Sequence, residues 1–217
     1  GERIMKYCPD QNIRLRAMST LAFNHCEMGR KEVGRAIYET FPSVEYGREN
    51  QMWWSLSEEE WLPNSRQRIE LGFDILSAGI YTLISYQLLP DNELLAVIEK
   101  RLALDKILYD SEAPDDDWGN ARLYYHYART LLRLNRNTEA FEKLKIAVKC
   151  AKGFDNRPEQ IVKNSILLGD IIIKRSDFET TDSRALTEIM RDKWLSDEDF
   201  EPVRGTDEFK AIIEELS

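Results

Sequence analysis

Four arginines, Arg122, Arg129, Arg133 and Arg136, recur at spacings that place them in a narrow stripe along one side of a helix. A guanidinium presents its donors in a planar fork that matches a carboxylate, so such a stripe can hold acidic groups through charge-assisted bonds. Residues 120–154 carry eight Lys or Arg and two Glu, in a chain whose formal net charge is −9. The flanking charge is opposite: residues 110–120 sum to −5 and residues 192–217 to −6. The carboxylates for the stripe would come from a short peptide or from the acidic C-terminal segment of the same or a second chain. A solvated helix face is the plainer alternative.

Other chemistry is thin. His25 and His126 fall on different expected helices, and no HExxH or Cys/His cluster at ligand spacing occurs, so no metal or other cofactor is expected. His126, beside the stripe, reads as a solvent-facing side chain that could touch a ligand. No GxGxxG, GxxxxGK[ST] or GxSxG is present, which leaves no phosphate cradle and no nucleophile elbow. The acidic runs Asp115–Asp117 and Glu58–Glu60 precede expected helices, where carboxylates cap and solubilise rather than catalyse. The expectation is a protein that is not an enzyme.

At 217 residues, 42% hydrophobic and 32% charged, the chain is long and apolar enough for a sizeable core. Its longest apolar stretch, "ILSAGIYTLISYQLL", is interrupted by polar residues and falls short of the roughly 18 apolar residues of a membrane span. Cys8, Cys26 and Cys150 form neither a CxxC nor an even framework, which suits a cytoplasmic protein with buried thiols. Net acidity disfavours nucleic acid as a partner of this region. The opening Gly-Glu-Arg lacks an initiator Met, and the chain reads as a portion of something longer.

Apolar residues recur at three- and four-residue spacing almost throughout, so the expected fold is all-α. Helices are expected over 11–28, 31–41, 65–89, 92–109, 118–134, 138–152, 158–175, 183–195 and 206–216. Ser57 and Ser196 open capping boxes, Pro158 starts a helix, and Gly29 and Gly153 end helices. Trp53, Trp54 and Trp61 would close the gap between units or form a contact patch, while Trp194 and Phe200 would bury the C-terminal cap.

On a helix from about Ala121, residues Tyr124, Tyr127, Ala128, Leu131 and Leu134 share one face, and Ala140, Leu144 and Ala147 line the helix after "LNRNT". Small residues thus lie where two antiparallel helices approach closely. That spacing resembles a tetratricopeptide repeat, with Asn135 in place of the usual Gly and Lys152 in place of Pro. An earlier unit repeats the scheme through Met18, Leu21, Ala22, Gly29, Gly34 and Tyr38, with His25 for the usual Tyr. The expected architecture is one domain over 1–217, a right-handed superhelical stack of antiparallel hairpins. Its units are 11–42, 65–109 and 118–152, and its caps lie in 158–217.

The order of landmarks carries a further resemblance: "KYCPDQNIRLRAMSTLAF", then "EYGRENQ", a central hairpin, the 103–155 repeat, and "LSDEDFEPVRGTDEFKAIIEEL". It is similar to the C-terminal tetratricopeptide-type regulatory region of bacterial Xre-class helix-turn-helix regulators. This implies a DNA-binding domain in a longer parent, which these residues do not contain. It also implies that the first helix of each pair lines a concave groove. Arg122, Tyr125, Arg129 and Arg133 would then be the ligand-binding residues, with the arginines anchoring charge and Tyr125 stacking or hydrogen-bonding. The expected function is regulatory interaction with a protein or acidic peptide, and homodimerisation; the alternative is an oligomerisation scaffold or adaptor without a small ligand.

Overall fold

Two tight turns set the helical framework of this computed structural model, which describes residues 11–38, 81–109, 118–165, 169–175 and 182–217. Helix α1 (Gln11–Glu27) is followed by α2 (Lys31–Tyr38). Between them Gly29 adopts φ 74°, its N–H bonds to the Cys26 carbonyl at 2.9 Å, and the Arg30 N–H reaches back to the His25 carbonyl at 2.8 Å. This is the left-handed helix stop that satisfies carbonyls otherwise left over at a helix end.

The second hairpin repeats that turn. Helix α4 (Trp118–Arg133) leads into α5 (Asn137–Asn156) through Asn135 at φ 58°. The Asn135 N–H bonds to the Leu132 carbonyl and the Arg136 N–H to the Leu131 carbonyl, both at 2.9 Å. Asn takes the position because its short polar side chain tolerates the left-handed region better than other non-Gly residues. A third such stop follows the helical residues 81–85, at Gln87 with φ 52° and with the Leu88 N–H on the Leu83 carbonyl at 3.0 Å.

Small residues then let each pair close. In the first hairpin Ala22 is fully buried, and a Cβ on Gly34 would collide with Cys26 Sγ and sit 3.0 Å from the Ala22 carbonyl oxygen. In the second, Ala128 and Ala140 are 0% and 2% exposed. The same distance in sequence separates Ala22 from Gly34 and Ala128 from Ala140. Larger side chains fill around these close approaches: Leu88 and half-buried Ile37 and Leu83 in the first, Leu131, Leu144 and Val148 in the second.

The chain divides into two compact units, Gly1–Leu89 and Pro90–Ser217. The second unit begins with α3 (Asp91–Tyr109), which packs on α4. Against the other sides of α4 lie α5 and a 3-10 turn, Glu198–Val203. As a result α4 is buried nearly all round, including Asn120, Leu123, Tyr125, His126 and Thr130, rather than on one apolar face.

The described residues are mostly helical, with one departure. The helix expected over 158–175 is instead an antiparallel hairpin of β1 (Gln160–Ser165) and β2 (Gly169–Lys174), pairing Val162 with Ile172. Ile161-Val162 and Ile171-Ile172-Ile173 are β-branched runs whose stiff side chains favour a pleated surface, and Pro158 closes α5 rather than opening a helix. Gly153 does not end α5 either: the helix runs on to Asn156.

The C-terminal region is short-stepped. Helix α6 (Leu186–Ile189) continues as a π-helical stretch, Met190–Trp194, then the 3-10 turn, then α7 (Asp207–Glu215). The N-terminus of α6 is capped from a distance: Asp155 accepts from the Leu186 and Thr187 N–H groups at 2.7 and 3.0 Å. Thr206 caps α7 by accepting from the Phe209 N–H. The capping role expected of Ser196 falls to Asp197, which accepts from the Asp199 N–H, because Ser196 donates back to the Lys193 carbonyl. Trp53, Trp54, Trp61, Ser57 and Cys8 lie outside the described residues.

Candidate functional site

Two arginines of the stripe, Arg129 and Arg133, meet the C-terminal acidic segment, whereas Arg136 lies past the end of α4 and donates to Glu139. Arg129 Nε donates to Asp199 at 2.8 Å and its Nη2 lies 3.1 Å from Asp197. Arg133 is shared: Nη1 donates to Asp199 at 2.6 Å, Nε and Nη2 reach Asp91 at 2.9 and 2.8 Å, and Nη2 also donates to Thr130 Oγ1 at 3.2 Å. Asp91 opens α3, so one guanidinium joins the start of α3, the end of α4 and the 3-10 turn. The side chains of Arg129 and Arg133 are 11% and 20% exposed, and that of Asp199 12%, so neither arginine stands on a solvated face.

An aromatic floor lies beneath. Tyr125, 5% exposed, has its ring 5.9 Å from Phe200 in a stacked arrangement and 5.2 Å from Trp194. The Arg129 guanidinium sits 5.4 Å over the Tyr125 ring, and Arg122 lies 5.5 Å over Trp118, which in turn meets Trp194 edge-on. Phe200 is fully buried and continues to Phe209 on α7. The four expected site residues thus separate into two groups. Tyr125, Arg129 and Arg133 converge on Asp199 and Phe200, whereas Arg122 turns to Trp118.

Electrostatics fix the protonation states. Burial drives the Tyr125 phenol well above its ordinary range despite Arg129 pulling it down, so it stays neutral. His126 is not the solvent-facing residue expected: it is 6% exposed, on a helix surrounded on several sides. Burial, and then the charges of Arg122, Arg129 and Arg133, hold its imidazole far below the usual histidine value and therefore neutral. For Arg133, burial pulls the pKa down but Asp91 and Asp199 more than offset it, keeping the cation firmly charged. The arrangement is suited to holding carboxylates beside an aromatic ring.

Asp91, Asp197, Asp199 and Phe200 complete the site. Segregated charge offered the acidic C-terminal segment of the same or a second chain as one source of carboxylates, beside a short peptide; nothing in the spacing singled out Asp91, which lies far from that segment in sequence. Among the described residues no group of three or more His, Cys, Asp or Glu gathers as metal ligands, and no helix is long and apolar enough to cross a membrane. No known protein family, curated protein or solved structure matches the chain.

Proposed function

We propose that this chain is a non-enzymatic regulatory and interaction region, a tetratricopeptide-like stack that binds protein or peptide segments and pairs with a second copy. In this reading it belongs to a cytoplasmic helix-turn-helix regulator whose DNA contacts are made by another domain. The observation that carries it is the acceptance of carboxylates by Arg129 and Arg133 on the first helix of a closely packed hairpin. The recurrence of the same left-handed stop and small-residue pair in α1–α2 supports a repeat. A ligand that prefers one angle between such hairpins would shift the population of the attached domain between two arrangements.

Occupation of the basic side by Asp197 and Asp199 favours a second reading, a scaffold or adaptor without a small ligand. Light scattering over a concentration series, with and without a library of acidic peptides, separates the two. A saturable peptide signal that Arg129→Ala with Arg133→Ala abolishes identifies the sensor; a dimer indifferent to peptide identifies the scaffold. A monomer that binds neither peptide nor a second copy overturns both.

A further inference from the structure

The segment Asp197–Val203 meets α4 much as a bound peptide would. Its described backbone hydrogen bonds close within the C-terminal region: Phe200 N–H to the Asp197 carbonyl at 3.1 Å, Arg204 N–H to Phe200 at 3.1 Å, and Thr206 N–H to Val203 at 3.0 Å. The polar bonds described between this segment and α4 run from guanidinium to carboxylate, at Asp197 and Asp199. Its deep apolar anchor on that helix is Phe200, stacked on Tyr125. One aromatic anchor and two carboxylates, held through side chains, is how pockets capture short acidic motifs. Largely desolvated ion pairs contribute little net stability compared with apolar packing, yet they select strongly which segment docks.

We infer that the side of α4 formed by Tyr125, Arg129 and Arg133 is a binding site for an acidic–aromatic peptide of the order Asp-x-Asp-Phe, and that Asp197–Phe200 of the chain itself occupies it as a built-in competitor. The inference rests on the interaction-region reading and names the ligand class of its site. A tethered occupant competes at high effective concentration, so an outside peptide enters only in proportion to the opened fraction. Removing the two carboxylates raises that fraction. Asn at 197 preserves the turn, since its amide oxygen still accepts from the residue 199 N–H.

The test titrates a fluorescein-labelled peptide, Leu-Ser-Asp-Glu-Asp-Phe-Glu-Pro-Val-Arg, into the full chain and into its Asp197→Asn/Asp199→Asn variant, read by anisotropy. The variant is expected to bind at least about tenfold more tightly than the unaltered chain. That gain should vanish when Arg129→Ala and Arg133→Ala are added, and with a peptide whose Asp and Phe order is scrambled. A variant with native circular dichroism that binds no better than the unaltered chain overturns the inference, as does binding indifferent to the two arginines. If the variant does not fold, hydrogen exchange on the unaltered chain decides. Amides of residues 199–201 and 203–206 exchanging at least about tenfold faster than the buried amides of α4 support a segment that opens. Exchange in step with α4 makes the segment a fixed part of the core and overturns the proposal. A chain that takes up no peptide yet dimerises keeps the interaction-region reading and loses only this ligand.

Discussion

Two ion-pair clusters in the second unit use the same chemistry in different surroundings. At Arg129 and Arg133 the contacts to Asp91, Asp197 and Asp199 span 2.6 to 3.1 Å, and all five side chains are 30% exposed or less. Around Asp182, itself 18% exposed, the contacts from Arg184 and Lys193 are as short, 2.9 and 2.5 Å, but the rest of the cluster stands in water: Arg184, Asp192 and Lys193 are 37%, 40% and 58% exposed. The first cluster joins elements distant in sequence; the second is confined to residues 182–193. Bond length therefore says little about energetic weight. Water screens the outer cluster, while aromatic packing excludes it from much of the inner one, where an unmatched charge has nowhere to go.

The largest test of this contrast is Asp199→Ala. It leaves two largely buried guanidiniums each short of a carboxylate, and a loss of about 3 kcal/mol in unfolding free energy is expected from urea titration. A drop indistinguishable from that of a surface mutant would erase the distinction between the clusters. The pH dependence follows from His126. Its imidazole is neutral in the fold but takes up a proton in the unfolded chain below about pH 6.5, so acidification favours unfolding. His126 should therefore contribute a decline of roughly 1.4 kcal/mol per pH unit below that point, and His126→Gln should remove this component.

Smaller effects sharpen the comparison. Arg133→Lys keeps the charge but loses the fork that reaches Asp91 and Asp199 together, and should cost about 1 kcal/mol, measured by the urea midpoint. Asp182→Asn should move the melting temperature least, although Arg184 and then Lys193 hold its carboxyl below the usual range. In about 1 M salt that small shift should disappear while the Asp199→Ala effect largely survives. Equal salt sensitivity of the two would show that the inner cluster is as wet as the outer.

The hairpins were legible because their determinants are local. Ala128 and Ala140, or Ala22 and Gly34, announce a close approach by size alone, and Gly29 marks a left-handed stop that few other residues adopt without strain. The 158–175 segment was not legible, since a short apolar run satisfies helical and strand spacing alike until β-branching and pairing are weighed. His126 was misplaced because a helical wheel assigns one buried face, while the environment of α4 is set by three neighbours.

By itself, the sequence determined a mostly helical chain, the positions of two tight hairpins, and a basic helix opposed in charge by an acidic tail. Each follows from side-chain size, backbone preference or charge within a few turns. Only the tertiary structure decided that Asp199, with Asp91, would reach Arg133, that Phe200 would lie under Tyr125, and that Asp155 would cap α6. Those pairings depend on which distant segments pack together, and packing is a property of the whole folded unit rather than of any local pattern.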